Sequence, residues 1–185
     1  MYFLFVFLFL ASCGKPDATT DTVDQAAKPL VFDPCSQDIG QHPCNFTFKN
    51  QHGEEVSLYD YYGKIVVVDL SVMWCGPCQT MGRASDGIVA TYGSENVEWL
   101  TLLIENEYGE TPAQSDLQRW ATALSITGEV LGASREIIDP VNKNAYPVTG
   151  WPTYVVIDQE MILRHGVVGW NEQTLRGILD SMLQE

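Results

Sequence analysis

Two cysteines separated by two residues, placed just past an apolar run, constrain this chain more than any other feature. The run is Ile65-Val66-Val67-Val68-Asp69-Leu70, and four residues later comes Trp74-Cys75-Gly76-Pro77-Cys78. A strand that delivers a Cys-x-x-Cys pair to the start of a helix is the arrangement of dithiol redox chemistry. The first thiol then meets the unpaired N–H groups and dipole of a helix N-terminus, which favour its thiolate. The second lies within reach to close a disulfide. The competing reading is a static disulfide or half of a zinc site. Zinc needs further ligands, and the chain has neither a second Cys-x-x-Cys nor a His pair at ligand spacing.

The 185 residues allow one ordinary domain and a tail, and a net charge of −14 argues against phosphate-backbone partners. No nucleic acid is therefore expected, nor docking on anionic lipid by charge. The first ten residues, Met-Tyr-Phe-Leu-Phe-Val-Phe-Leu-Phe-Leu, are almost wholly apolar yet short for a bilayer span, so they read as the core of an export signal. Leu10-Ala11-Ser12-Cys13 follows and resembles the lipobox of bacterial lipoproteins, although no Lys or Arg precedes the apolar run. By that resemblance residues 1–12 are removed and Cys13 becomes the lipidated first residue. An ordinary secretory signal with a free Cys13 is the alternative. Residues 13–34 then form the lipidated cysteine and a polar, proline-punctuated tether. About twenty such residues reach roughly 25 Å. Residues 35–185 form the folded domain. In an oxidising compartment Cys35 and Cys44 read as a local disulfide. A metal site using His42 and a second redox pair are the other readings.

Within the domain, Phe46 and Phe48 alternate with polar residues, and Gln51-His52-Gly53 turns the chain into residues 54–57, giving a β-hairpin. Residues 58–62 make one helical turn that Gly63 ends. Residues 64–71 form a central strand apolar on both faces. A helix runs from Gly76 or Pro77 to Tyr92 with Gly93 as its stop, and residues 97–104 form a second buried strand. A further helix is expected over 112–124, with Leu117, Trp120, Ala121 and Leu124 on one face. Residues 153–157 and 161–168 form an antiparallel pair, and Asn171 caps a last helix to Leu183. The order β-β-α-β-α-β-α-β-β-α describes an α/β sandwich around a central mixed sheet.

With these segments in place, the chain resembles the thioredoxin-fold proteins, and more narrowly the membrane-anchored, exported thiol–disulfide oxidoreductases of bacteria. Three matched segments carry the resemblance over residues 45–183. The first is Leu58-Tyr59-Asp60-Tyr61-Tyr62-Gly63-Lys64 leading to the Val-rich strand and the dithiol. The second is Val148-Thr149-Gly150-Trp151-Pro152-Thr153, which is similar to the family's cis-proline loop. The third is Ile157-Asp158 with a hairpin leading to Gly169. The fold implied is a thioredoxin-like three-layer sandwich with helices on both faces of the sheet.

The resemblance assigns Cys75 as nucleophile and Cys78 as resolving thiol. Gly76 and Pro77 match the dipeptide of reducing members. Pro152 would be cis, bringing the Trp151 backbone against the dithiol, whereas a trans proline starting an edge strand is the alternative. Trp151 replaces the smaller residue usual at that place. Asp69 matches a buried carboxylate able to take the Cys78 proton; the other reading is a strand-end Asp reaching solvent. Trp74 packs beside the site or serves the core. Arg83 stands in place of a helix-kinking proline, and Gly82 is expected to supply flexibility there.

The resemblance implies a lipoprotein on the periplasmic side of a bacterial membrane. It would act as a monomer, reduce protein disulfide substrates, and draw electrons from a membrane-embedded thiol donor. No cofactor is expected beyond the Cys75–Cys78 disulfide, and no metal. A disulfide oxidant or isomerase is the runner-up. A metal-binding chaperone using His165 is a distant third.

Overall fold

The computed structural model describes residues 30–184. The export signal, Cys13 and most of the tether lie outside the described residues. The compact unit starts at Val31. Here Phe32 stacks on His42 with ring centroids 3.8 Å apart. The Cys35–Cys44 disulfide closes the segment that joins them to the domain. Its backbone runs beside the last hairpin: the Gly40 N–H donates to the Leu163 carbonyl at 2.7 Å, and the Leu163 N–H to the Gln41 carbonyl at 2.9 Å. His42 spends Nδ1 on the Met161 carbonyl at 2.8 Å, so its ring serves the packing of this segment.

The hairpin β1 (Thr47–Lys49) and β2 (Glu55–Ser57) is a separate two-stranded sheet, followed by a single 3-10 turn, Leu58–Tyr61. The main sheet holds β3 (Ile65–Val72), β4 (Val97–Glu105), β5 (Glu129–Gly132), β6 (Thr153–Ile157) and β7 (Leu163–Val168) in the order β5-β4-β3-β6-β7. β3 pairs parallel with β4 and antiparallel with β6, which makes the sheet mixed. All eight residues of β3 are buried, as expected for a strand covered on both faces. Each fully buried Val or Leu there contributes on the order of 1.5–3 kcal/mol relative to exposure.

Alternation along β3 divides the core. Val66, Val68 and Leu70 join Leu117, Trp120 and Leu124 of α2 (Gln114–Leu124), with Phe46 and Val56 of the hairpin. Ile65 and Val67 join Met81 and Ile88 of α1 (Gly76–Tyr92) and Leu175 and Leu179 of α3 (Glu172–Met182). One helix thus covers one face and two cover the other. The fold is the thioredoxin-like α/β sandwich.

Two details differ from the sequence reading and a third adds to it. β5 is absent from the expected order: it has four residues, no alternation to reveal it, and exists by pairing parallel with Leu100–Leu103 of β4. α2 begins at Gln114 and not at Pro112, because Ala113 is extended and its N–H donates to the Asp116 carboxylate at 2.9 Å. Gly82 has a packing role that the sequence reading did not name. A Cβ at that position would stand 2.8 Å from Leu124 Cδ1, so the glycine is what lets α1 and α2 approach.

Candidate active site

β3 ends at Val72, and the chain turns through Met73 and Trp74 into α1. Cys75 is the N-cap residue of that helix, and its Sγ accepts the Cys78 N–H at 3.1 Å. Pro77 falls in the first turn, where a missing N–H costs nothing and a fixed φ favours the helix. The two sulfurs are joined as a disulfide. Cys78 is wholly buried whereas Cys75 keeps 6% of its surface, so an incoming group meets Cys75 first.

Asp69 lies in β3 with no surface exposed, which excludes a strand-end carboxylate reaching solvent. It shares its side of the sheet with Ile65 and Val67, the side that α1 covers through Met81, one turn beyond Cys78. The Ser71 hydroxyl donates to Asp69 Oδ1 at 2.5 Å, and the Thr101 hydroxyl to Oδ2 at 3.2 Å. Burial pushes the carboxyl up to about 7, against the pull of those hydrogen bonds toward its charged form. An acid with that value holds or releases a proton close to neutrality.

Opposite the dithiol runs the loop before β6. The Trp151–Pro152 peptide is cis. The Pro152 carbonyl accepts the Gly169 N–H at 2.7 Å, and the Thr153 hydroxyl donates to the Gly150 carbonyl at 2.8 Å, so both ends of the loop are fixed. Trp151 packs on the cluster that holds Cys75 and Cys78. Its ring meets Trp74 edge-to-face, centroids 6.5 Å apart. Trp74 is half exposed, which removes the core role weighed for it.

Several residues at the site escaped the sequence reading. Glu105, the last residue of β4 and opposite Val72 in the ladder, is buried and accepts the Trp74 Nε1–H at 2.9 Å. Arg135 pairs with its other oxygen. An acid directly following the apolar stretch Leu100-Thr101-Leu102-Leu103-Ile104 was the available signal. Ser71 was legible too, since a two-residue period puts it on the Asp69 side.

The sequence pattern of the AhpC/TSA family matches residues 39–166, most of the chain. The chain belongs to the AhpC/TSA family. Within it, this is a thioredoxin-like thiol–disulfide oxidoreductase. A relative described as thioredoxin-like protein YneN, from Bacillus subtilis, is 26% identical over 131 residues, covering 70% of this chain and 71% of that one. The pneumococcal exposed lipoprotein thioredoxin Etrx1 of Streptococcus pneumoniae superposes with a TM-score of 0.61 at 26% identity, over 75% of this chain and 99% of that structure. A thiol:disulfide interchange protein of Chlorobium tepidum superposes at 0.64 with 19% identity, over 79% and 98%, and shows the shared fold. No helix among the described residues is long and apolar enough to cross a membrane.

Proposed function

We propose that this family member is an exported, lipid-anchored reductase that opens disulfides in other exported proteins, with Cys75 as nucleophile and Cys78 as resolving thiol. The observation that carries the reading is Cys75 at the helix cap: the more accessible sulfur is the one that accepts a helix N–H. That N–H and the helix dipole stabilise a thiolate.

In the reaction, the Cys75 thiolate attacks one sulfur of a client disulfide. That S–S bond breaks, and the departing client thiolate takes a proton from solvent. Cys78 passes its proton to ionised Asp69 and attacks the Cys75 sulfur. The Cys75–Cys78 disulfide closes, and the second client thiolate leaves and is protonated. Two electrons have passed from the dithiol to the client. The loop at Pro152 offers backbone for an extended client segment to pair with. A membrane-embedded thiol protein then returns two electrons to the disulfide.

Cys13 carries the anchor and residues 14–30 the reach, shorter than the 13–34 tether of the sequence reading because the compact unit already begins at Val31, and the Cys35–Cys44 disulfide stiffens the start of the domain. The exposed lipoprotein thioredoxin among the relatives supports the location. Gly76-Pro77 supports the reducing direction. The test is the reduction potential of Cys75–Cys78 in the full chain, equilibrated in graded thiol buffers and read by alkylation and peptide mass. A value of about −250 mV or lower fits the reductase. A value near about −120 mV reverses the direction and makes the protein a disulfide donor.

A further inference from the structure

Trp74 presents a puzzle of placement. A half-exposed indole next to the attacking sulfur has room to turn, yet this one is held at two points. Its Nε1–H donates to Glu105 Oε2 at 2.9 Å, and its ring meets Trp151 at 85°. Glu105 is itself only 2% exposed, and its second oxygen is paired with the guanidinium of Arg135, a residue of the 3-10 turn Arg135–Ile138. The Glu105 backbone joins in: its carbonyl accepts the Met73 N–H at 3.0 Å. Burying a carboxylate is costly unless it is paired and hydrogen-bonded, and the core beneath has no need of one. What this one does is grip the residue beside Cys75.

The two indoles come from opposite margins of the site, one preceding the dithiol and one preceding Pro152. Edge-to-face contact is a favoured aromatic geometry, and it leaves Trp74 surface open to solvent where a client must lie. A wall of this kind, fixed beforehand, binds a flat or branched apolar side chain without ordering cost. It offers little to a small polar one.

We propose that Glu105 is a positioning residue that locks Trp74 against Trp151, and that the resulting aromatic wall makes the site select client segments with a bulky apolar side chain next to the cysteine under attack. The proposal rests on the reading of Cys75 as nucleophile. Arg135 acts through Glu105, neutralising its charge.

The test uses the full chain, reduced, with two disulfide peptides that differ only in the residue beside the cysteine, Phe or Ser. Wild type is expected to show a KM about five- to tenfold lower for the Phe peptide at similar kcat, the size of one good aromatic contact. Trp151→Ala and Glu105→Ala should bring the two KM values within about twofold, chiefly by raising the KM for the Phe peptide. Glu105→Gln keeps an acceptor for the Trp74 N–H and should keep most of the preference, with the Cys75–Cys78 potential unmoved. Should Glu105→Ala fail to fold, Trp151→Ala and Glu105→Gln carry the test. Equal KM values in wild type, or a preference that survives in Trp151→Ala, overturns the aromatic wall and leaves the reductase standing. A wild-type protein that reduces neither peptide overturns both.

Discussion

Asp69 concentrates the chemistry into one side chain. Its folded value of about 7 is raised from 3.8 in the unfolded chain, so the folded state holds the proton more tightly. Stability from this group is therefore full below about pH 4, falls as pH rises through 7, and stays low above it. Asp69→Asn removes the penalty. It should raise unfolding free energy at pH 8 by about 1–4 kcal/mol, by less at pH 5, and change little below about pH 4, as read by urea melts across that range. In the proposed reaction catalysis runs the other way, because there the ionised form accepts the Cys78 proton. Release of the mixed disulfide should speed up as pH rises through 7 in wild type. In Asp69→Asn it should be about a hundredfold slower and lose that inflection in stopped-flow traces. Cys78→Ser should stop the reaction one step earlier, leaving client bound through Cys75 and visible as a thiol-sensitive adduct on a gel.

At the scale of elements, residues with a strong local pattern were the legible ones. β3, α1 and α3 follow from an unbroken apolar run, a proline in the first turn with a glycine stop, and an Asn cap. In the structure the Asn171 side chain accepts the Thr174 N–H at 3.0 Å. Gly93 ends α1 at φ 85°, a conformation that only glycine adopts freely. β5 was illegible because four residues with no period become a strand only through a neighbour. The packing role of Gly82 was illegible for a similar reason: it is set by Leu124, forty-two positions away, and no window around Gly82 contains that fact. Gly82→Leu should accordingly destabilise the fold by about 1–3 kcal/mol, measured as a shift in denaturation midpoint at constant slope. The Cys35–Cys44 disulfide spans nine positions of sequence. Replacing both cysteines with alanine should lower stability by about 2–3 kcal/mol in the same experiment and leave client reduction intact.

Across the whole molecule the charge of −14 sets how clients arrive. Association with an acidic client should quicken as salt rises from 10 to about 150 mM, and that with a basic client should slow, because screening removes repulsion in one case and steering in the other. Topology has a subtler effect. β3 is the middle strand of a sheet covered on both faces, and Asp69 sits in its interior, with the Ser71 and Thr101 hydroxyls turned to it. A proton delivered there is sealed off from bulk water. In the proposed reaction its way out is expected to open as the client departs, so proton release and product release would share one clock. In heavy water the first attack should keep its pace while turnover lags, and the lag would record how long the molecule stays shut.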